Sequence, residues 1–174
     1  MLDLKKLKII MSVFTKLFGR SDKGQKQDQL ADTNYIETIL KHSEDQPVGI
    51  ADQNVIYAGY AELGGYYFLQ TFIVGKLNIK AKKGARLIMV NNDHTLDLKS
   101  DMDEFESENM GVFDGYVTRI DFEIEKEAAE NIKRSAIKNI TLKVKKHTIT
   151  FTPLEAEGVD ELEVAEENKK DLTN

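Results

Sequence analysis

The chain contains no cysteine, which removes thiol nucleophiles, thiolate metal sites and any disulfide framework together and leaves the redox compartment open. It has no apolar run near the ~18 uninterrupted residues that a membrane-spanning helix requires. It has no GxGxxG nucleotide signature, no GxSxG nucleophile elbow and no HExxH pair. The stretch from Gly19 to Lys26 has the glycine spacing of a phosphate loop, but Gln25 stands where that loop carries lysine and no Ser or Thr follows. Hydrolase and nucleotide-cofactor templates therefore fail, no cofactor is implied, no small-molecule ligand is identifiable, and the balance leans away from an enzyme.

What the chain does have is charge, unevenly placed. Its 174 residues carry a net charge of −6, yet residues 1–26 hold seven bases against two acids, and residues 155–174 hold eight acids against two bases. The length fits one ordinary domain with a core of its own. Three parts follow: a basic amphipathic arm and tether at 1–27, a β-rich globular domain at 28–154, and an acidic tail at 155–174. An acidic body argues against nucleic acid as the partner, because affinity for phosphate backbones comes chiefly from clustered Lys and Arg.

Within the arm, Leu4, Leu7, Ile10, Met11, Phe14, Leu17 and Phe18 recur at helical spacing, while Lys5, Lys8 and Lys16 mostly face elsewhere. Leu7, Phe14, Leu17 and Phe18, with Lys8 and Lys16, are the candidate contacts to an anionic membrane surface or a partner's groove. The alternative is a helix packed on the protein's own sheet. The apolar run is interrupted at Lys8, Ser12, Thr15 and Lys16, and no small-residue cleavage site follows. The expectation is a cytoplasmic protein, with peripheral membrane attachment as the variant of that reading. Residues 20–32 are polar and without period, as in a tether. A short helix is predicted over 35–42, with Asn34 as N-cap and Glu37 in the capping-box position.

From about Asn54 to Pro153 the apolar period becomes two, which predicts strands. Residues 55–60 form one, ended by Gly64-Gly65. Residues 66–80 read as a single long strand, with Tyr67, Leu69, Ile73, Leu77 and Ile79 on one face. Phe68, Phe72 and Val74 on the other face are expected to be buried as well, with a bend or bulge at Gly75. Turns at Lys82-Lys83-Gly84 and Asn91-Asn92-Asp93 bracket Leu87 to Val90, and 95–99 alternates again. The cleanest alternation runs from Tyr116 to Ile124. A helix follows over 125–135, and a last hairpin turns at Lys145-Lys146. The fold expected is mainly β or α+β: a small antiparallel sandwich, a partly open barrel, or a layered sheet with one or two short helices.

Two clusters invite a chemical reading. Acids crowd residues 93–108, and Asp97, Asp101, Asp103 and Glu106 are the candidate ligands for a divalent cation. Phe105 stands where a calcium loop needs its third ligand, however, and no turn glycine follows. Lys76, Lys80, Lys82, Lys83 and Arg86 gather around one turn near Tyr66, Tyr67 and Phe68, a mixture able to hold and stack RNA, although no RNP-like sequence is present. His42, His94 and His147 form no ligand pattern. The reading reached is a non-catalytic binding or protein-interaction module with a protein partner or self-association. A membrane-peripheral protein and a metal-dependent enzyme using the 93–108 carboxylates are the alternatives.

Overall fold

The computed structural model describes residues 26–111, 113–131 and 136–155. Helix α1 (Lys26–Lys41) leads into β1 (Gly49–Ala51), β2 (Asn54–Leu63), β3 (Tyr66–Gly75), β4 (Lys80–Ala81), β5 (Ala85–Val90) and β6 (Thr95–Lys99). Then come β7 (Phe105–Glu106), β8 (Glu108–Asn109), β9 (Tyr116–Glu123), helix α2 (Lys126–Asn131), β10 (Asn139–Val144) and β11 (His147–Pro153). Nine strands make one antiparallel sheet in the order β6-β5-β10-β11-β1-β2-β3-β9-β8, and β4 pairs with β7 in a separate ribbon. The sheet curls into a half-barrel, so of the architectures left open by the sequence the partly open barrel is the one adopted. Its two edges meet at one point, where Ser100 bridges Phe122 and the Asp101 amide donates to the Asp121 carbonyl at 2.9 Å.

Curling turns one face of every long strand inward. Leu69 and Ile73 of β3, Ile120 and Phe122 of β9, Leu87 and Met89 of β5, Leu142 of β10 and Phe151 of β11 form one continuous apolar core, as period-two alternation requires. The buried serine and threonine hydroxyls on this face are satisfied locally. Thr71 Oγ1 donates to the Ile120 carbonyl at 2.8 Å, and Ser100 Oγ accepts from the Ala85 amide and donates to the Met102 carbonyl, both at 2.9 Å.

The predicted long strand over 66–80 ends early, at Gly75. Its φ of 151° is one that L side chains rarely adopt, and a Cβ there would lie 2.0 Å from the Gln53 carbonyl oxygen. That close approach lets the Lys76 amide donate to the Gln53 carbonyl at 3.0 Å, while Asn54 Oδ1 accepts from the Leu77 amide at 2.9 Å. The chain leaves the sheet here, yet Leu77, Ile79 and Ala81 still point into the core. The inward pattern therefore survives departure from the nine-stranded sheet.

The opposite face of β3 also departs from expectation. Only Val74 is buried there; Phe68 is half-buried and Phe72 is 37 % exposed. Burial on this outer face depends on α1, which seats Ile36 and Ile39 against Ile50, Val55, Tyr57, Val74 and Leu154 and does not extend over Phe72. The helix is held in addition by Tyr35, in its second half, whose hydroxyl donates to the Asp114 carbonyl at 3.0 Å and whose ring meets Phe113 edge-on at 6.0 Å. Burial raises the Tyr35 pKa.

Helix α1 also starts earlier than the predicted 35–42. Residues 26–32, read as part of a tether, are helical, so Asn34 is no N-cap and Glu37 occupies no capping box; the Asn34 carbonyl instead accepts from Thr38 Oγ1 one turn later at 2.9 Å. Absence of an apolar period reports absence of a buried face, and it does not report absence of a helix. Lys26, Gln27, Gln29, Leu30 and Ala31 are all good helix formers, able to extend a helix anchored further along. The predicted helix over 125–135 is present as α2, with Ala128 and Ala129 against the core; residues 132–135 lie outside the described part.

Candidate anion-binding cleft

The hairpins at one end of the half-barrel bring together bases that are far apart in the chain. Register places Lys143 of β10 opposite Arg86 of β5, and Arg86 in turn opposite Lys99 of β6. Alternation sends all three outward, because their neighbours Leu142, Leu87 and Leu98 pack inward. Three cations thus stand in one row across three adjacent strands, an arrangement that destabilises a sheet when like charges face each other.

Around this row a cleft of about 920 Å³ opens, lined further by Lys80, Lys82, Lys83 and Lys145. The turn that carries Lys82 and Lys83 is closed by Gly84, whose amide donates to the Asp103 carbonyl at 2.8 Å. Gly84 has a φ of 68°, and a Cβ there would fall 2.6 Å from Ser100 Oγ. The tight turn therefore requires glycine, and it holds the two lysines over the end of the sheet.

Acids offset part of this charge. Asp97 takes Arg86 in a two-pronged contact, Nε to Oδ1 at 3.0 Å and Nη2 to Oδ2 at 2.6 Å. Glu106 holds Lys80 at 2.9 Å, a hydrogen bond that raises the lysine's pKa, and Asp103 lies 4.0 Å from Lys99. Lys82, Lys83, Lys143 and Lys145 form no ion pair among the described residues. The lining contains no hydroxyl, imidazole or aromatic side chain. It offers charge and backbone, which suits binding an anion rather than transforming one.

The predicted cation ligands are accordingly dispersed. Asp97, Asp103 and Glu106 each face a different base, and Asp101 is exposed in the loop after β6. Among the described residues no three His, Asp or Glu side chains are grouped so as to hold a metal ion. The acidic and basic clusters that looked separate in the sequence are thus interleaved in space.

The mixture of bases and aromatics near β3 is divided. Lys76 pairs with Asp114 at 2.6 Å and lies 4.7 Å from the Tyr35 ring centroid, beside α1. Tyr66, Tyr67 and Phe68 sit at the other end of β3, and none of them lines the cleft. His42 follows α1, His147 begins β11, and His94 lies at the rim of a small apolar gap of about 230 Å³ with Met89, Ala128 and Ile137. Leu7, Lys8, Phe14, Lys16, Leu17 and Phe18 lie outside the described residues.

The sequence reading missed Lys99, Lys143 and Lys145. The signal was there in part: each of Arg86, Lys99 and Lys143 adjoins inward leucines in an alternating strand, which places all three on outer faces. What places them side by side is strand register, which pairs segments distant in the chain.

No helix among the described residues is long and apolar enough to cross a membrane. In comparison with known proteins, no family model matches the chain, and neither a curated protein nor a solved structure is significantly similar to it.

Proposed function

We propose that this protein is a non-catalytic binding module whose cleft holds an acidic segment of a protein partner. The observation that carries this reading is the cross-strand row Lys143, Arg86 and Lys99, whose mutual repulsion Asp97 and Asp103 offset only in part and which an anion lying along it would relieve further. Dispersed lysines favour dispersed carboxylates. A single phosphate is better matched by an arginine fork, and the one arginine here already holds Asp97. Without an aromatic side chain in the lining there is no platform for stacking a nucleobase.

Fluorescence anisotropy of a labelled oligo-glutamate peptide with the full chain tests this. Binding is expected at low ionic strength and should weaken as salt screens the exposed charges. The pair Lys83→Glu and Lys143→Glu should weaken it by roughly tenfold or more, about 1.4 kcal/mol. A single-stranded RNA of equal charge is the competing probe. Tighter binding of the RNA than of the peptide, or peptide binding untouched by the two substitutions, overturns the proposal.

A further inference from the structure

A second surface, on the outer face of β3 and β9, has the opposite character. Phe72 and Met102 are 37 % and 63 % exposed, and they line a groove of about 560 Å³ together with Val117 and Phe105. Glu104, Glu106, Glu108 and Asp121 surround it, and Arg119 is the one base in its lining. Arg119 is already engaged, bonded to Asp121 at 3.2 Å and lying 5.8 Å from the Phe72 ring centroid. Glu104 and Glu108 form no ion pair among the described residues. The groove runs on into the seat of α1, because Phe72 and Val117 also line the hollow formed with Ile39, His42 and Phe113.

We infer that this groove is the docking site of the chain's own residues 4–18, held there as an amphipathic helix lying beside α1. The match is of two kinds. Leu4, Leu7, Met11, Phe14 and Phe18 share one helical face, which would cover Phe72 and Met102. Lys8 flanks that face and meets an acidic rim. Chain length permits it. Tyr35, seated on the sheet, lies about 14 Å along α1 from Lys26 at the helical rise per residue. The seven residues 19–25, with Gly19 and Gly24 among them, span up to about 23 Å when extended. That is enough to reverse direction and return along α1 as an antiparallel helix pair. Burying an apolar helical face against exposed Phe and Met is favoured by apolar area as well as by charge, so this contact should outlast salt that empties the cleft. The inference is independent of what the cleft binds.

Because the chain has no cysteine of its own, a single one introduced on the polar side of the segment, Ser12→Cys, can carry a nitroxide spin label in the full-length protein. Paramagnetic broadening of backbone amide signals is expected to concentrate at residues 102–108 and 117–121 and to persist at high salt. In a mixture of spin-labelled chains with isotope-labelled chains that bear no nitroxide, the broadening should vanish; if it remains, the occupant is a second copy and the inference is overturned. Adding Phe72→Asp to the spin-labelled chain should abolish the broadening while the other amide signals keep their positions, which shows that the domain is still folded. Broadening spread evenly, or absent from the groove while the protein pellets with anionic vesicles, also overturns it and makes the segment a membrane contact.

Discussion

The two faces of β3 carry side chains of similar kind with different fates. Inward, Leu69, Thr71 and Ile73 are fully buried; outward, Val74 is buried under α1 while Phe72, two residues away, is left open. Inner burial is enforced by the whole sheet, since each inward residue is enclosed by strands from the far side of the half-barrel. Outer burial depends on whichever single element lies above. Packing fills most of the inner face, while the basic cleft and the acid-rimmed groove occupy different strands on the outer one.

The sharpest way to break this comparison is to truncate one residue on each face. Phe122→Ala should have the largest effect. Phe122 is fully buried in the inner core and its backbone bridges Ser100 at the meeting of the two sheet edges. Removing its ring should cost about 3–5 kcal/mol, read as a lower urea midpoint in equilibrium unfolding. A loss below about 1 kcal/mol, within the reach of ordinary surface substitutions, would mean that the half-barrel is not one cooperative unit.

Ile36→Ala removes the outer anchor. Ile36 is as fully buried as Phe122, but it lies on a helix that can settle toward the sheet, so the loss should sit at the low end for such truncations, about 2–3 kcal/mol. Hydrogen exchange should show faster opening of α1 with the amides of β5 and β10 still protected, since regions held by fewer contacts open at lower free energy. Equal acceleration in both places would erase the distinction between the faces.

Much of the inner face was legible from the sequence. Tyr116 to Ile124 alternate as read, with Thr118, Ile120, Phe122 and Ile124 buried, and Gly64-Gly65, both at positive φ, close the β2–β3 hairpin. Alternation is a local consequence of the pleat and needs no partner to be recognised. The outer face was much less so. Phe72 looks apolar and therefore buried, but whether anything covers it depends on where α1 lies. The cleft was half-visible: Lys80 to Arg86 formed a cluster along the chain, while Lys143 joined it only through the pairing of β10 with β5.

One inner-face residue breaks the local satisfaction of polar groups, and it gives the smallest and most discriminating test. Tyr60 packs against the core, and its buried hydroxyl has no hydrogen-bond partner among the described residues. Burial alone drives its pKa well above the ordinary tyrosine value of 10.0. A raised pKa means that the folded chain keeps this proton after the unfolded chain has begun to lose it. The stabilising contribution is thus complete below about pH 10 and is lost as pH rises through the folded value. Tyr60→Phe has no proton to lose. At pH 7 it should match the parent or exceed it by up to about 1 kcal/mol, because an unpaired buried hydroxyl is removed without a change of shape. In urea unfolding followed from pH 7 to pH 11, the advantage of the variant should widen above pH 10. Tyr35 and Tyr57, whose pKa values burial also raises, leave a residual alkaline dependence in both proteins. A variant less stable at pH 7 by more than about 1 kcal/mol would show that the hydroxyl is bonded after all, and the inner face would then be satisfied throughout.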